Sequence, residues 1–70
     1  MKALTKNVTM NAHNEICVTY EIKGRFAALI VFDTKVNMLR SLCDDKYSIM
    51  QFEGGAQDAA RKFVRELKRA

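Results

Sequence analysis

His13, Cys17, Cys43, Asp44 and Asp45 are the side chains here with the most chemical reach. His13 and Cys17 are spaced H-x-x-x-C, and Cys43 leads straight into two aspartates. A zinc site wants three or four ligands, usually with a close cysteine pair. One histidine and no C-x-x-C do not meet that requirement, so no metal ligand set is expected. A Cys–His nucleophile needs a third group to orient the base, and none is evident beside His13. Asp44 and Asp45 are neighbours whose side chains diverge, which argues against a shared acid–base task. The chain is therefore expected to be non-enzymatic, with no catalytic residue, metal or cofactor. Cys17 and Cys43 read as reduced, structural thiols.

Anion binding is the next chemistry to weigh. "EGGAQD", residues 53–58, is glycine-rich and opens a helical pattern, where backbone N–H groups could meet a phosphate. It has neither the lysine nor the Ser/Thr of a phosphate loop, and Asp58 would repel an anion placed there. The reading is a strand-to-helix turn at Gly54 and Gly55. Beyond it, Arg61, Lys62, Arg65, Lys68 and Arg69 gather on the polar arc of one helix. Five cations on one arc could neutralise an acidic partner surface or a phosphate backbone. Residues 56–70 hold these five cations against Asp58 and Glu66, whereas residues 1–55 hold seven basic and six acidic residues. Most of the net charge of +4 thus sits at the C-terminus.

Three strands, a glycine turn and a basic helix resemble in outline double-stranded RNA-binding domains and three-strand-plus-helix DNA-binding domains. The first group carries lysines at the start of its last helix, where this chain has Ala56, Gln57 and Asp58. The second reads bases with aromatic and basic residues on its sheet, where this chain offers Glu15, Cys17, Thr19 and Glu21. Neither family's binding residues carry over.

The elements that must position these residues follow from periodicity. Leu4, Val8 and Met10 alternate with Thr5, Asn7 and Thr9, a strand with one wet face. Lys6 interrupts its apolar side, as charges do on edge strands. Leu4, Lys6, Val8 and Met10 are accordingly the candidate docking edge, because an edge strand accepts a partner's strand. "NAHN", residues 11–14, is turn chemistry. Ile16, Val18, Tyr20 and Ile22 then alternate with Glu15, Cys17, Thr19 and Glu21, a second strand. Gly24 turns the chain, and "FAALIVF", residues 26–32, is apolar on both parities, which marks a central strand. The register between these two strands is left open.

Asp33 and Thr34 are good helix caps, and Val36, Leu39, Leu42 and Cys43 share a helical face. A short helix over about 35–43 is expected, with continued strand through Val36 and Met38 as the rival. "YSIMQFE", residues 47–53, is rich in strand formers and reads as a fourth strand. Ala56, Ala59, Ala60, Phe63, Val64 and Leu67 form one apolar arc at 100° per residue, so residues from 56 onward make an amphipathic helix. Asp58 and Lys62 are spaced for an i, i+4 pair.

The expected fold is one small α+β domain spanning residues 1–70 in the order ββ-β-α-β-α. Three to four mostly antiparallel strands carry both helices on one face. Seventy residues bury only about 60% of their unfolded surface, so the core is thin. The start "MKALTKNVTMNAHN" lacks the apolar run of a signal peptide, and "FAALIVF" is far shorter than a membrane span. A cytoplasmic chain with no membrane partner is expected. The expected function is a small regulatory or inhibitory protein, of the kind phages and mobile elements encode. It would act by binding a larger protein that presents an acidic or nucleic-acid-like surface. Nucleic-acid binding through the basic helix and an obligate homodimer are the alternatives.

Overall fold

The computed structural model of the chain describes residues 4–69. Four strands are followed by one helix: β1 (Leu4–Met10), β2 (Ile16–Ile22), β3 (Arg25–Phe32), β4 (Met38–Cys43) and α1 (Met50–Arg69). The strands pair antiparallel in chain order, β1-β2-β3-β4, so β1 and β4 are the two edges. The class is α+β, with a four-stranded antiparallel sheet and a C-terminal helix.

The alternation in β2 sets the inner face. Ile16, Val18 and Tyr20 are buried and lie opposite Phe32, Ile30 and Ala28 of β3. Val8 and Met10 of β1 extend this face, and Phe52, Ala56, Ala59 and Ala60 of α1 close over it. The small helix residues let α1 approach the sheet, and Tyr20 stacks on Phe52 with ring centres 4.9 Å apart. Gly55 belongs to the same close approach, since a Cβ there would stand 3.1 Å from the Tyr20 hydroxyl. The β2–β3 connection is two residues long. Lys23 (φ 55°) and Gly24 (φ 75°) both have the left-handed backbone that matches a hairpin's twist.

The short helix expected over 35–43 is not formed, and β4 occupies its place. Asp33 acts as a turn residue instead of a helix cap. Its carboxylate accepts the amides of Lys35 and Asn37, each at 2.9 Å, and its own amide donates to the Asn37 carbonyl. The turn drives Val36 to φ 64°, which a helix cannot use. The rival reading, the strand running on through Val36 and Met38, does not hold either: β3 ends at Phe32, the chain turns, and Met38 opens a separate strand antiparallel to it.

The strand expected over 47–53 is not formed either, because the helix starts six residues earlier than the apolar arc suggests. Ser48 caps it: the Ser48 amide donates to the Gln51 side chain at 2.9 Å, and the Ser48 hydroxyl takes the Met50 amide at 3.4 Å. This reciprocal Ser-x-x-Gln box is joined by a staple of Tyr47 on Phe52, edge to face at 6.1 Å. Gly54 and Gly55 are therefore interior helix residues, and the order is β-β-β-β-α. Asp58 lies mid-helix, while Glu53 is the acidic residue of the first turn.

Candidate basic groove and sheet edges

Arg61, Lys62, Arg65, Lys68 and Arg69 are all exposed on the last turns of α1. At 100° per residue they share about a third of the helix circumference, and a groove opens on each side of that arc. Arg61, Arg65 and Lys68 follow i, i+4, i+7 spacing and line a groove of about 290 Å³ with Thr34, Lys35, Val36 and Val64. Lys62 and Arg69, with Glu66 between them, flank the other side, and Arg65 is shared. Asp58 pairs with Arg61 at 3.7 Å, in place of the expected partner Lys62.

The groove arises because α1 runs past the β3–β4 turn. Phe63 and Val64 are half-buried against the core, and Leu67, the last residue of the arc, stays 46% exposed. The turn contributes Lys35, a fourth cation, and Val36, an apolar floor. A β-branched residue at φ 64° costs of order 1–3 kcal/mol, and such backbone gathers at binding sites. The bonds from Asn37 and Lys35 that hold the turn also keep the Asp33 carboxyl below its ordinary range, the Asn37 amide contributing most. Lys35 was unreadable as a groove residue from sequence, because its placement depends on a tertiary turn.

A larger depression of about 590 Å³ lies between the β2–β3 turn and the β4–α1 connection. Lys23, Arg25 and Lys46 line it together with Asp44, Phe26 and Tyr47. Its cations come from the β2–β3 turn, the start of β3 and the β4–α1 connection, and the Asp44 carboxylate inside it accepts the Lys46 amide at 3.3 Å. The groove beside α1 has the denser and less compensated charge.

The candidate edge residues Leu4, Lys6, Val8 and Met10 sit on β1, with β2 as their neighbour. Leu4 and Lys6 are exposed, and Val8 and Met10 are partly buried under α1. The second edge, β4, went unrecognised in the sequence. It presents Met38, Leu39 and Leu42 at 45%, 46% and 62% exposure. Arg40 on β4 reaches across β3 to Glu15, ahead of β2, with both carboxylate oxygens bonded at 2.9 and 3.2 Å. The buried Val31 lies on β3 between their strands, paired with Cys17 on one side and Arg40 on the other. The Arg40 bonds, with help from Asn11, hold the Glu15 pKa down from 4.5 to about 2.

His13, Cys17, Cys43, Asp44 and Asp45 are not brought together. His13 is exposed in the β1–β2 turn, Cys17 lies opposite Val31, and Cys43 lies opposite Ala28 on the other face of the sheet. Both thiols are free. Among the described residues no group of three or more His, Cys, Asp or Glu could hold a metal ion. Among the same residues no helix is long and apolar enough to cross a membrane. No family model matches the chain, and no curated protein or solved structure matches it.

Proposed function

We propose that this chain is a non-enzymatic binding module that docks on an acidic patch of a larger protein through the groove between α1 and the β3–β4 turn. The observation that supports this most is the convergence of Lys35, Arg61, Arg65 and Lys68 around Val36 and Val64. Cations ringing a small apolar floor suit a protein surface that offers both carboxylates and a hydrophobic side chain. Such a contact fits a regulatory or inhibitory protein of the accessory type, whose effect comes from occupying a partner's surface in the cytoplasm.

A tagged chain should recover one stoichiometric partner from its host, and Arg61→Glu with Arg65→Glu should abolish the recovery while the fold survives. Recovery unaffected by that double charge reversal would exclude the groove. Nucleic-acid binding is the second reading, supported by five exposed cations within nine residues of helix. It requires affinity for a mixed duplex that falls steeply with salt, because phosphate contacts release counterions. No anisotropy change at low salt would remove it.

A further inference from the structure

We infer that β4 pairs antiparallel with β4 of a second copy of this chain, joining the two four-stranded sheets into one continuous sheet of eight strands. The inference stands apart from the basic groove, which uses α1 and the β3–β4 turn.

The main chain of β4 is available for such pairing. The Asp44 amide donates to the Ala27 carbonyl at 2.8 Å. Antiparallel ladders alternate, so Leu42 and Arg40 turn their main-chain groups toward Leu29 and Val31. Ser41 and Cys43 then turn theirs outward, with no strand to receive them. α1 lies over β1, β2 and β3, and of β4 only Cys43 packs against the core, so residues 38–42 stay exposed. A bare edge that exposes Met38, Leu39 and Leu42 is an adhesive template, and natural sheets cover or charge such edges.

Register arithmetic favours a second copy as the occupant. A two-fold axis normal to the sheet places same-face residues opposite one another. If Arg40 lay on the axis it would face its own copy, with like charges opposed. If Ser41 lay there, Arg40 would face Leu42. If Leu42 lies on the axis, Leu42 faces Leu42, Ser41 faces Cys43, and Arg40 faces the Asp44 carboxylate of the other copy. Of these three registers, only this one sets apolar against apolar and cation against anion, with Arg40 keeping its two bonds to Glu15 and meeting the second copy's Asp44 as a further anion. It also places the outward main-chain groups of Ser41 and Cys43 opposite each other, where they can exchange hydrogen bonds. Leu29, paired with Leu42 within each chain, continues the apolar seam on both sides.

Sedimentation equilibrium of the full chain from about 1 to 100 µM tests the association, with a dimer expected within that range. Leu42→Lys should weaken it by more than about tenfold, since it opposes two ammonium groups at the axis. Ser41→Pro should do the same, because it removes an outward donor and leaves the β3 ladder intact. Far-UV circular dichroism should show both variants folded. The register has its own readout: Leu42→Cys, with Cys17→Ser and Cys43→Ser, should give a covalent dimer on mild oxidation. Directly opposed residues of this kind bring their Cα atoms to about 4.5 Å, within disulfide reach. A folded wild-type chain that stays monomeric throughout the range overturns the inference. A dimer unaffected by both folded edge variants overturns it as well, and dimerisation without cross-linking overturns the Leu42-centred register.

Discussion

β1 and β4 end the same sheet, and each pairs with a single neighbour. β1 lies under α1, so Val8 and Met10 contribute to the core, while Thr5, Asn7 and Thr9 wet its other face. Lys6 adds a charge to the side that would otherwise be uniformly apolar. β4 reaches the core through Cys43, while Met38, Leu39 and Leu42 remain in solvent, Leu42 on the sheet face away from α1. It is held by its ladder to β3, by the Asp33 turn at one end and by the Arg40–Glu15 pair across β3. The difference separates two roles that an edge can have. The covered edge completes the core, and the bare edge is free to make contacts.

Several substitutions would break or sharpen that contrast. The largest effect is expected for Phe52→Ala, which removes the ring that holds α1 against Tyr20 and Tyr47. Urea unfolding should show a loss of about 3 kcal/mol, because a buried aromatic leaves both transfer energy and a cavity behind. With α1 loosened, β1 would become as bare as β4.

Next comes the direct comparison of the two edges. Val8→Ala on β1 should cost about 1 kcal/mol, roughly one to two buried methyl groups. Leu42→Ala on β4 should stay within about 0.5 kcal/mol at concentrations low enough to hold the monomer. Equal losses by thermal or chemical unfolding would show that the edges are not differently built.

The helix that creates the contrast can be tested through its adjacent glycines. Nothing lies within 4 Å of a Cβ built on Gly54, so Gly54→Ala should stabilise by up to about 1 kcal/mol through helix propensity. Gly55→Ala should gain less or turn unfavourable, because the new methyl presses on the Tyr20 hydroxyl. Matching gains at both positions would mean that α1 does not sit on Tyr20 this closely.

The smallest effect concerns pH. Glu15 has a folded pKa below its unfolded value, so its contribution is present above about 4.5 and is lost as pH falls toward about 2. Asp33 acts in the same direction. Glu15→Gln should flatten part of the acid-side decline in urea midpoint between pH 5 and pH 2. An unchanged decline would indicate that the Arg40–Glu15 tie contributes nothing to holding β4.

The first three strands are present, β1 and β2 as read from two-residue alternation and β3 as read from an apolar run on both parities, β1 over the full expected span and β2 and β3 to within a residue at their starts. Alternation survives in β1 and β2 because each has a wetter and a more buried side, and the unbroken apolar run survives in β3 because residues of both its parities are buried. The stretch from Val36 to Cys43 is ambiguous at that level. Val36, Leu39, Leu42 and Cys43 satisfy a helical period, while Met38, Arg40 and Leu42 satisfy a strand period. The stretch from Tyr47 to Phe52 held a readable signal that strand propensity concealed, namely Ser48 three residues before Gln51 and flanked by Tyr47 and Phe52. The five cations were legible as a cluster. The groove that three of them share with Lys35 required the position of the β3–β4 turn.

The sequence by itself determined the local elements whose period has one solution: three strands, the apolar arc of the helix and the concentration of charge at its end. It also determined a reversal at Gly24, through glycine's freedom from Cβ clashes, whereas the left-handed backbone of Lys23 and the register of the hairpin were left to the fold. The tertiary structure alone decided that β4 is a strand. A six-residue segment that fits both periods follows whichever neighbour can pair with it, and β3 offered a free ladder that no helix could use. The same choice left β4 bare, carried Lys35 to the groove and made Leu42 the most exposed leucine of the sheet.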